Sequence, residues 1–213
     1  MRNLESVIGI SFMTILLFGC SSVRVTDSWR DMEKLDIKDK NILVVSKTED
    51  RNVQIRFESD MVRLLRGNGY NSVESHVKFP FSDPNEKVEK EEIKEVIQNL
   101  RKNDIDVVIV SHLLDSREYK TIVTTGDSFY VDYFPIRYHR YRSFYGYTGT
   151  YYTQYNTREV EGTTYILETL IYDLTRPSED QLVSVITSEV DNPSSLGTTS
   201  EHFSKSIVKN LTK

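Results

Sequence analysis

Cysteine is nearly absent from this chain: Cys20 is the only one. A lone thiol closes no internal disulfide and supplies no Cys pair for a zinc site. Histidine is also scarce. His76, His112, His139 and His202 fall into neither HExxH nor any other familiar metal spacing. No GxSxG elbow, phosphate loop or dinucleotide fingerprint occurs, which removes the hydrolases and nucleotide enzymes that carry such signatures. No metal, cofactor or catalytic residue is therefore nominated. An excess of positive charge is missing as well: 27 Lys and Arg stand against 32 Asp and Glu, for a net charge of −5. That balance argues against a nucleic-acid partner. Beyond the first twenty residues no apolar run approaches the roughly twenty residues of a membrane-crossing helix.

What is present begins with Val7–Ser22, VIGISFMTILLFGCSS. The apolar run is too short to span a bilayer and suits the core of a secretory signal peptide, with Arg2 as its positive start. Its end, Leu17-Phe18-Gly19-Cys20, resembles the lipobox of bacterial lipoproteins, although Phe18 is larger than that position usually holds. The resemblance implies a signal peptide over 1–19, cleavage before Cys20 and lipidation there, its sulfur held in a thioether, palmitate included. The membrane is then the first expected partner, reached through the lipid. Ser21 follows where Asp would hold a Gram-negative lipoprotein in the inner membrane, so the expected site is the outer membrane, facing the periplasm.

Residues 20–40 read as a lipidated tether and edge segment, with Val23, Val25 and Trp29 as a first edge strand. Residues 41–213 read as one α/β domain. Asn41–Ser46 is a β-branched run of the kind buried on both faces of a sheet. Val53, Phe57, Met61, Leu64 and Leu65 then follow helical spacing, with Asp50 or Asn52 as cap and Gly67 and Gly69 at the close. Asn71–Val77 reads as a modest strand, 78–87 as a loop, and Val88–Arg101 as a second helix. Ile105–Leu114 is the strongest strand pattern and is expected at the centre of the sheet. Thr163–Leu174 and Gln181–Val190 form a long antiparallel hairpin. Thr198 and Glu201 have capping-box spacing at the start of a last helix. The expected fold is α/β, with a mixed sheet of five to six strands, three helices packed on it, and an aromatic-rich insertion in a β-hairpin region.

That insertion, residues 129–155, holds nine of the thirteen tyrosines and no Leu, Ile or Val after Ile136. It cannot supply an aliphatic core. Tyrosine offers a large, stiff contact area with a hydroxyl at its rim, and such residues are enriched on recognition surfaces. Tyr133, Arg137, Tyr138, Arg140, Tyr141, Arg142, Tyr145, Tyr147, Tyr151 and Tyr152 are therefore the expected partner-binding residues. The fitting partners are an envelope protein, peptidoglycan or another polysaccharide. The competing reading has the rings packing on one another or covering the sheet.

From Asn41 onward the chain resembles small bacterial envelope lipoproteins. The resemblance lies in NILVVSKTEDRNVQIRFESDMVRLLRGNGYNSVESH, IDVVIVSHLLD, ETLIYDLT and SVITSEVDNP. The element order is similar to the domain shared by the amino-terminal part of TolB, CsgG and LpoB, and implies a scaffold, secretion or activator role. The primary expectation is a lipid-anchored, non-enzymatic binding or scaffold module. The alternative is a periplasmic hydrolase with an unrecognised site, for which strand-end positions would bring His76 and His112 together. Arg56 and Glu58, with Glu49, Asp50 and Arg51, read as a charged entrance to the first helix whose members pair with one another.

Overall fold

A computed structural model describes residues 23–31, 36–80, 84–85, 92–119 and 162–212. The expected signal peptide, Cys20 and all ten expected partner-binding residues lie outside them. In chain order the elements are β1 (Val23–Arg30), β2 (Asn41–Lys47), α1 (Arg51–Gly67), β3 (Asn71–Glu74), the single turn α2 (Ser75–Lys78), α3 (Ile93–Lys102), β4 (Val107–Tyr119), β5 (Gly162–Asp173), β6 (Leu182–Asp191) and α4 (Leu196–Leu211). The six strands form one mixed sheet in the order β1-β6-β5-β4-β2-β3. β4, β2 and β3 run parallel, while β5, β6 and β1 join antiparallel.

The sheet is buried on both faces, which makes the domain three-layered. α1 and α4 cover one face: Met61, Val62 and Leu65 from α1 and Phe203, Ile207 and Leu211 from α4 pack on Ile42, Val44, Ile109, Ile171 and Ile186. α3 lies on the other face, with Val96, Ile97 and Leu100 against Leu43, Val108, Val110, Leu170 and Tyr172. Val107, Val108, Ile109 and Val110 of β4 thus send alternate side chains into the two cores, as a continuous aliphatic run predicts for a central strand.

Local chemistry sets the element ends. Asp50 caps α1, its carboxylate accepting from the Asn52 and Val53 N–H groups. After α1 closes at Asn68, Gly69 takes φ +83°, a conformation that costs glycine little. α4 begins earlier than its capping-box spacing suggests. Ser195 is the cap and accepts from the Thr198 N–H, while Glu201 pairs with Lys205 one turn further on. β3 stops at Glu74 instead of running to Val77, because Ser75 and His76 both donate to the Glu58 carboxylate and turn the chain out of the sheet.

β4 outruns β2, whose pairing with it ends at His112, while the β4–β5 ladder passes a bulge between Leu113 and Asp115 and persists out to Tyr119 and Gly162. β5 stays paired with β6 out to Thr164 and β6 with β1 out to Val23, so only the last two β4–β5 pairs extend beyond the other strands. Bulges bend a strand and increase its local twist. The Tyr119 ring lies over Gly162, where an added Cβ would meet it at 2.6 Å. The Tyr119 hydroxyl donates to Asp191 at 3.0 Å, and Thr164 donates to the same carboxylate.

Candidate functional site

The parallel strands define where a site belongs. The β2–α1–β3 crossover runs over one face and β3–α3–β4 over the other, so the chain changes face between β2 and β3. In open α/β sheets ligands gather outside the carboxyl ends of strands at such a switch point. Here the position holds Ser46 from β2, Ser75 and His76 beyond β3, and Gln54 and Glu58 from α1.

Glu58 is the centre of this group and is fully buried. Its Oε1 accepts from the Ser46 N–H, Gln54 Nε2 and Ser75 Oγ, the last at 2.6 Å. Its Oε2 accepts from the His76 N–H and lies 2.6 Å from His76 Nδ1. With Nδ1 turned to this carboxylate, Nε2 is the ring's other hydrogen-bonding atom. Glu58 is therefore not part of a charged surface entrance. Arg56 instead pairs with Asp60 at 2.7 Å, and Arg51 donates to Gln54. A carboxylate with this many donors ties α1, β2 and α2 together, and it also orients an imidazole.

A second polar group crosses the opposite face. Strand register places Lys47, His112, Glu168, Thr187 and Asp27 side by side on β2, β4, β5, β6 and β1. His112 Nε2 lies 3.6 Å from Glu168, and both residues are buried. Among the described residues neither Glu168 oxygen has a hydrogen-bond partner. Burial pushes the Glu168 carboxyl up to about 7. Burial first, and then the Lys47 charge, pushes the His112 imidazole down to about 3. The imidazole is thus neutral near neutrality, so the two do not form an ion pair there.

His76 and His112 are not brought together. They serve opposite faces of the sheet, each beside its own carboxylate. Among the described residues no group of three or more His, Cys, Asp or Glu side chains could hold a metal ion. Sequence reasoning missed Glu58 and Glu168 as buried carboxyls. The signal for Glu58 was its spacing, three and four residues before the core residues Met61 and Val62.

At the far end of the sheet Asp173 closes a different network. Burial favours its neutral form, but hydrogen bonds from Lys40 and Thr175 outweigh that and hold its carboxyl below the usual range. Arg176 adds a contact at 2.9 Å. Its acceptor oxygens are occupied from within the domain, which is the pattern of a structural clasp.

The class defined by these elements is a three-layer α/β domain with a mixed six-stranded sheet. No protein-family profile matches the chain, and no curated protein matches it in sequence. Solved structures similar to it include the PelC dodecamer from Paraburkholderia phytofirmans, at 13% identity and TM-score 0.44 over 89% of this chain and 95% of that one. Lipoprotein GNA1162 from Neisseria meningitidis is similar at 12% identity and TM-score 0.38, over 82% of this chain and 100% of that one. A DUF4136 family protein from Bacteroides thetaiotaomicron is similar at 9% and 0.35, over 88% and 94%. Likenesses this distant carry no inference about activity or partners. Among the described residues no helix is long and apolar enough to cross a membrane.

Proposed function

We propose that this protein is a lipid-anchored module of the cell envelope. It is held at the outer membrane by acyl chains on Cys20, faces the periplasm, and binds an envelope protein or wall polymer without catalysing a reaction. The observation that carries this reading is the pairing of Tyr119 with Gly162. The Tyr- and Arg-rich sequence is bracketed by this last pair of the β4–β5 ladder, and the described sheet and its two hydrophobic clusters are built from residues on either side of it. A segment attached in this way is free to differ in composition from the domain that carries it. The resemblance of the chain to the TolB, CsgG and LpoB group supports the same non-enzymatic role.

The test is to replace Arg137–Tyr155 with a short Gly/Ser linker. Thermal stability should change little, whereas binding to isolated peptidoglycan or crosslinking to envelope proteins should be lost. Unfolding of the domain, or binding left intact, would refute the assignment of residues 129–155 as the recognition surface.

One observation favours a second reading as a hydrolase: the Glu58–His76 pair at the switch point has the carboxylate–imidazole arrangement of a general base. In that case His76→Gln would abolish turnover of a wall substrate and spare binding through residues 129–155.

A further inference from the structure

Four large hydrophobic side chains are exposed among the described residues: Ile55, Val77, Tyr119 and Leu196, at 38, 59, 37 and 40%. They are far apart in sequence and come from four different elements. Isolated exposed apolar residues need no explanation, but apolar residues gathered on one part of a surface mark an interaction site.

Topology gathers these four. β2, β3 and β4 are parallel, so their carboxyl ends lie together, and the antiparallel pairings add the end of β6 and the starts of β5 and β1. Ile55 opens the second turn of α1, which follows β2. Val77 lies in the turn that follows β3, Tyr119 ends β4, and Leu196 is the first residue of α4, which follows β6. All four therefore lie at one end of the sheet. Among the described residues the opposite end, with Asn41, Val107, Asp173, Leu182 and Arg30, carries no exposed large hydrophobic side chain.

The same end is where the chain enters the domain. Val23 pairs with Val190, Val190 with Tyr165, and Tyr165 with Ser116. Tyr119 is three residues further along β4, roughly 10 Å at the rise of a strand. Only Ser21 and Ser22 separate Val23 from Cys20. Two intervening residues span no more than about 11 Å between the Cα atoms of Cys20 and Val23. An acylated Cys20 would thus set this end, and no other, against the bilayer.

We infer that the end of the sheet bearing Ile55, Val77, Tyr119 and Leu196 docks on the surface of the lipid bilayer in which the Cys20 acyl chains are seated. The inference rests on the lipid-anchor reading of Cys20. The apolar side chains enter the interfacial region, where Tyr119 keeps its hydroxyl with Asp191 at the polar level. Each contact is weak alone. Together they fix the orientation of a domain that the lipid already holds close.

The test uses the full-length, acylated protein in vesicles of phosphatidylethanolamine and phosphatidylglycerol doped with brominated lipid. Val77→Cys, Leu196→Cys and Asn68→Cys variants carry a bimane probe, the Cys20 sulfur being blocked by its thioether. Asn68 follows α1 at the opposite end of the sheet. Quenching at positions 77 and 196 should exceed that at 68 at least several-fold. In a second measurement, Val77→Ser with Leu196→Ser should lower the quenching of a probe at Ile55→Cys by at least half. An acylated protein quenched equally at both ends, or more strongly at 68, overturns the docking inference and leaves the anchor standing. Mass spectrometry that finds no acyl chain on Cys20 overturns both.

Discussion

Glu168→Gln is the substitution whose effect can be worked out most closely. The wild-type side chain is buried at the third position of a polar row, without a hydrogen bond on either oxygen among the described residues. Burial raises its carboxyl from 4.5 to about 7. The folded state therefore holds the proton more tightly than the unfolded chain does. Below about pH 4.5 both states are protonated and the group costs nothing. Between 4.5 and 7 the unfolded chain ionises first, and stability falls as pH rises. Above 7 the loss is complete. At about 1.4 kcal/mol per pKa unit the whole loss is about 3 kcal/mol.

Glutamine keeps the shape and cannot ionise. The difference in unfolding free energy between Glu168→Gln and wild type should therefore rise by about 3 kcal/mol from pH 4.5 to pH 8. Urea denaturation at a series of pH values measures it. A constant offset is expected, since the amide must also find partners; the change with pH carries the test. His112 acts with the opposite sign. Its depressed imidazole keeps its full contribution above about 6.5 and loses it as pH falls toward 3. That loss is common to wild type and variant and cancels in the difference. A difference that stays flat with pH, or rises toward acid, would show that Glu168 is not held neutral by burial.

Three further outcomes are expected, two from the geometry and one from the sequence around Cys20. Glu58→Ala strands the Ser46 and His76 N–H groups and the Gln54 and Ser75 side chains, and should cost at least about 3 kcal/mol by urea denaturation; a cost below about 1 would mean that water replaces the carboxylate freely. Val108→Asp puts a charge where the side chain is 1% exposed between β4 and α3, and should cost at least about 3 kcal/mol. Unchanged thermal stability would contradict the placement of β4. Cys20→Ala should abolish acyl labelling and leave a released or uncleaved form; a processed, membrane-bound Cys20→Ala protein would refute the lipid anchor.

The sheet was largely legible in the sequence because its strands are of two recognisable kinds. Asn41–Ser46 and Ile105–Val110 are aliphatic without alternation, and such runs have to be buried on both faces. β5 and β6 announce a hairpin by two β-rich runs around a polar turn. The edge strand at Val23 was legible as well. The limits of β3 and α4 were not, because side-chain hydrogen bonds set them: Glu58 reaches across from α1 to end β3, and Ser195 outcompetes the Thr198–Glu201 pair as a cap. On α1 the stripe of Val53, Phe57, Met61, Leu64 and Leu65 does meet the core, with Met61 and Leu65 buried and Phe57 and Leu64 packed against it. Periodicity counts apolar residues, so it did not show that Gln54 and Glu58 are buried on the same helix.

Glu58 and Glu168 also separate two uses of a buried acid. Glu58 sits where backbone and side-chain donors converge, so its charge is matched by a full set of hydrogen bonds, and the chain bends to supply them. Glu168 begins the buried half of β5, where the ladder spends the backbone donors and only side chains could serve. His112 stands 3.6 Å away and Thr187 lies on the next strand, yet neither hydrogen-bonds to the carboxyl. Directly along the ladder from this row, a bulge interrupts the β4–β5 register between Leu113 and Asp115. The least satisfied polar group in the described sheet thus adjoins a bulge in the strand pair that brackets the Tyr- and Arg-rich sequence. Clasps such as Asp173 with Lys40 and Arg176 close the other end of the domain. The exposed apolar residues instead gather toward the end at which the chain enters from Cys20.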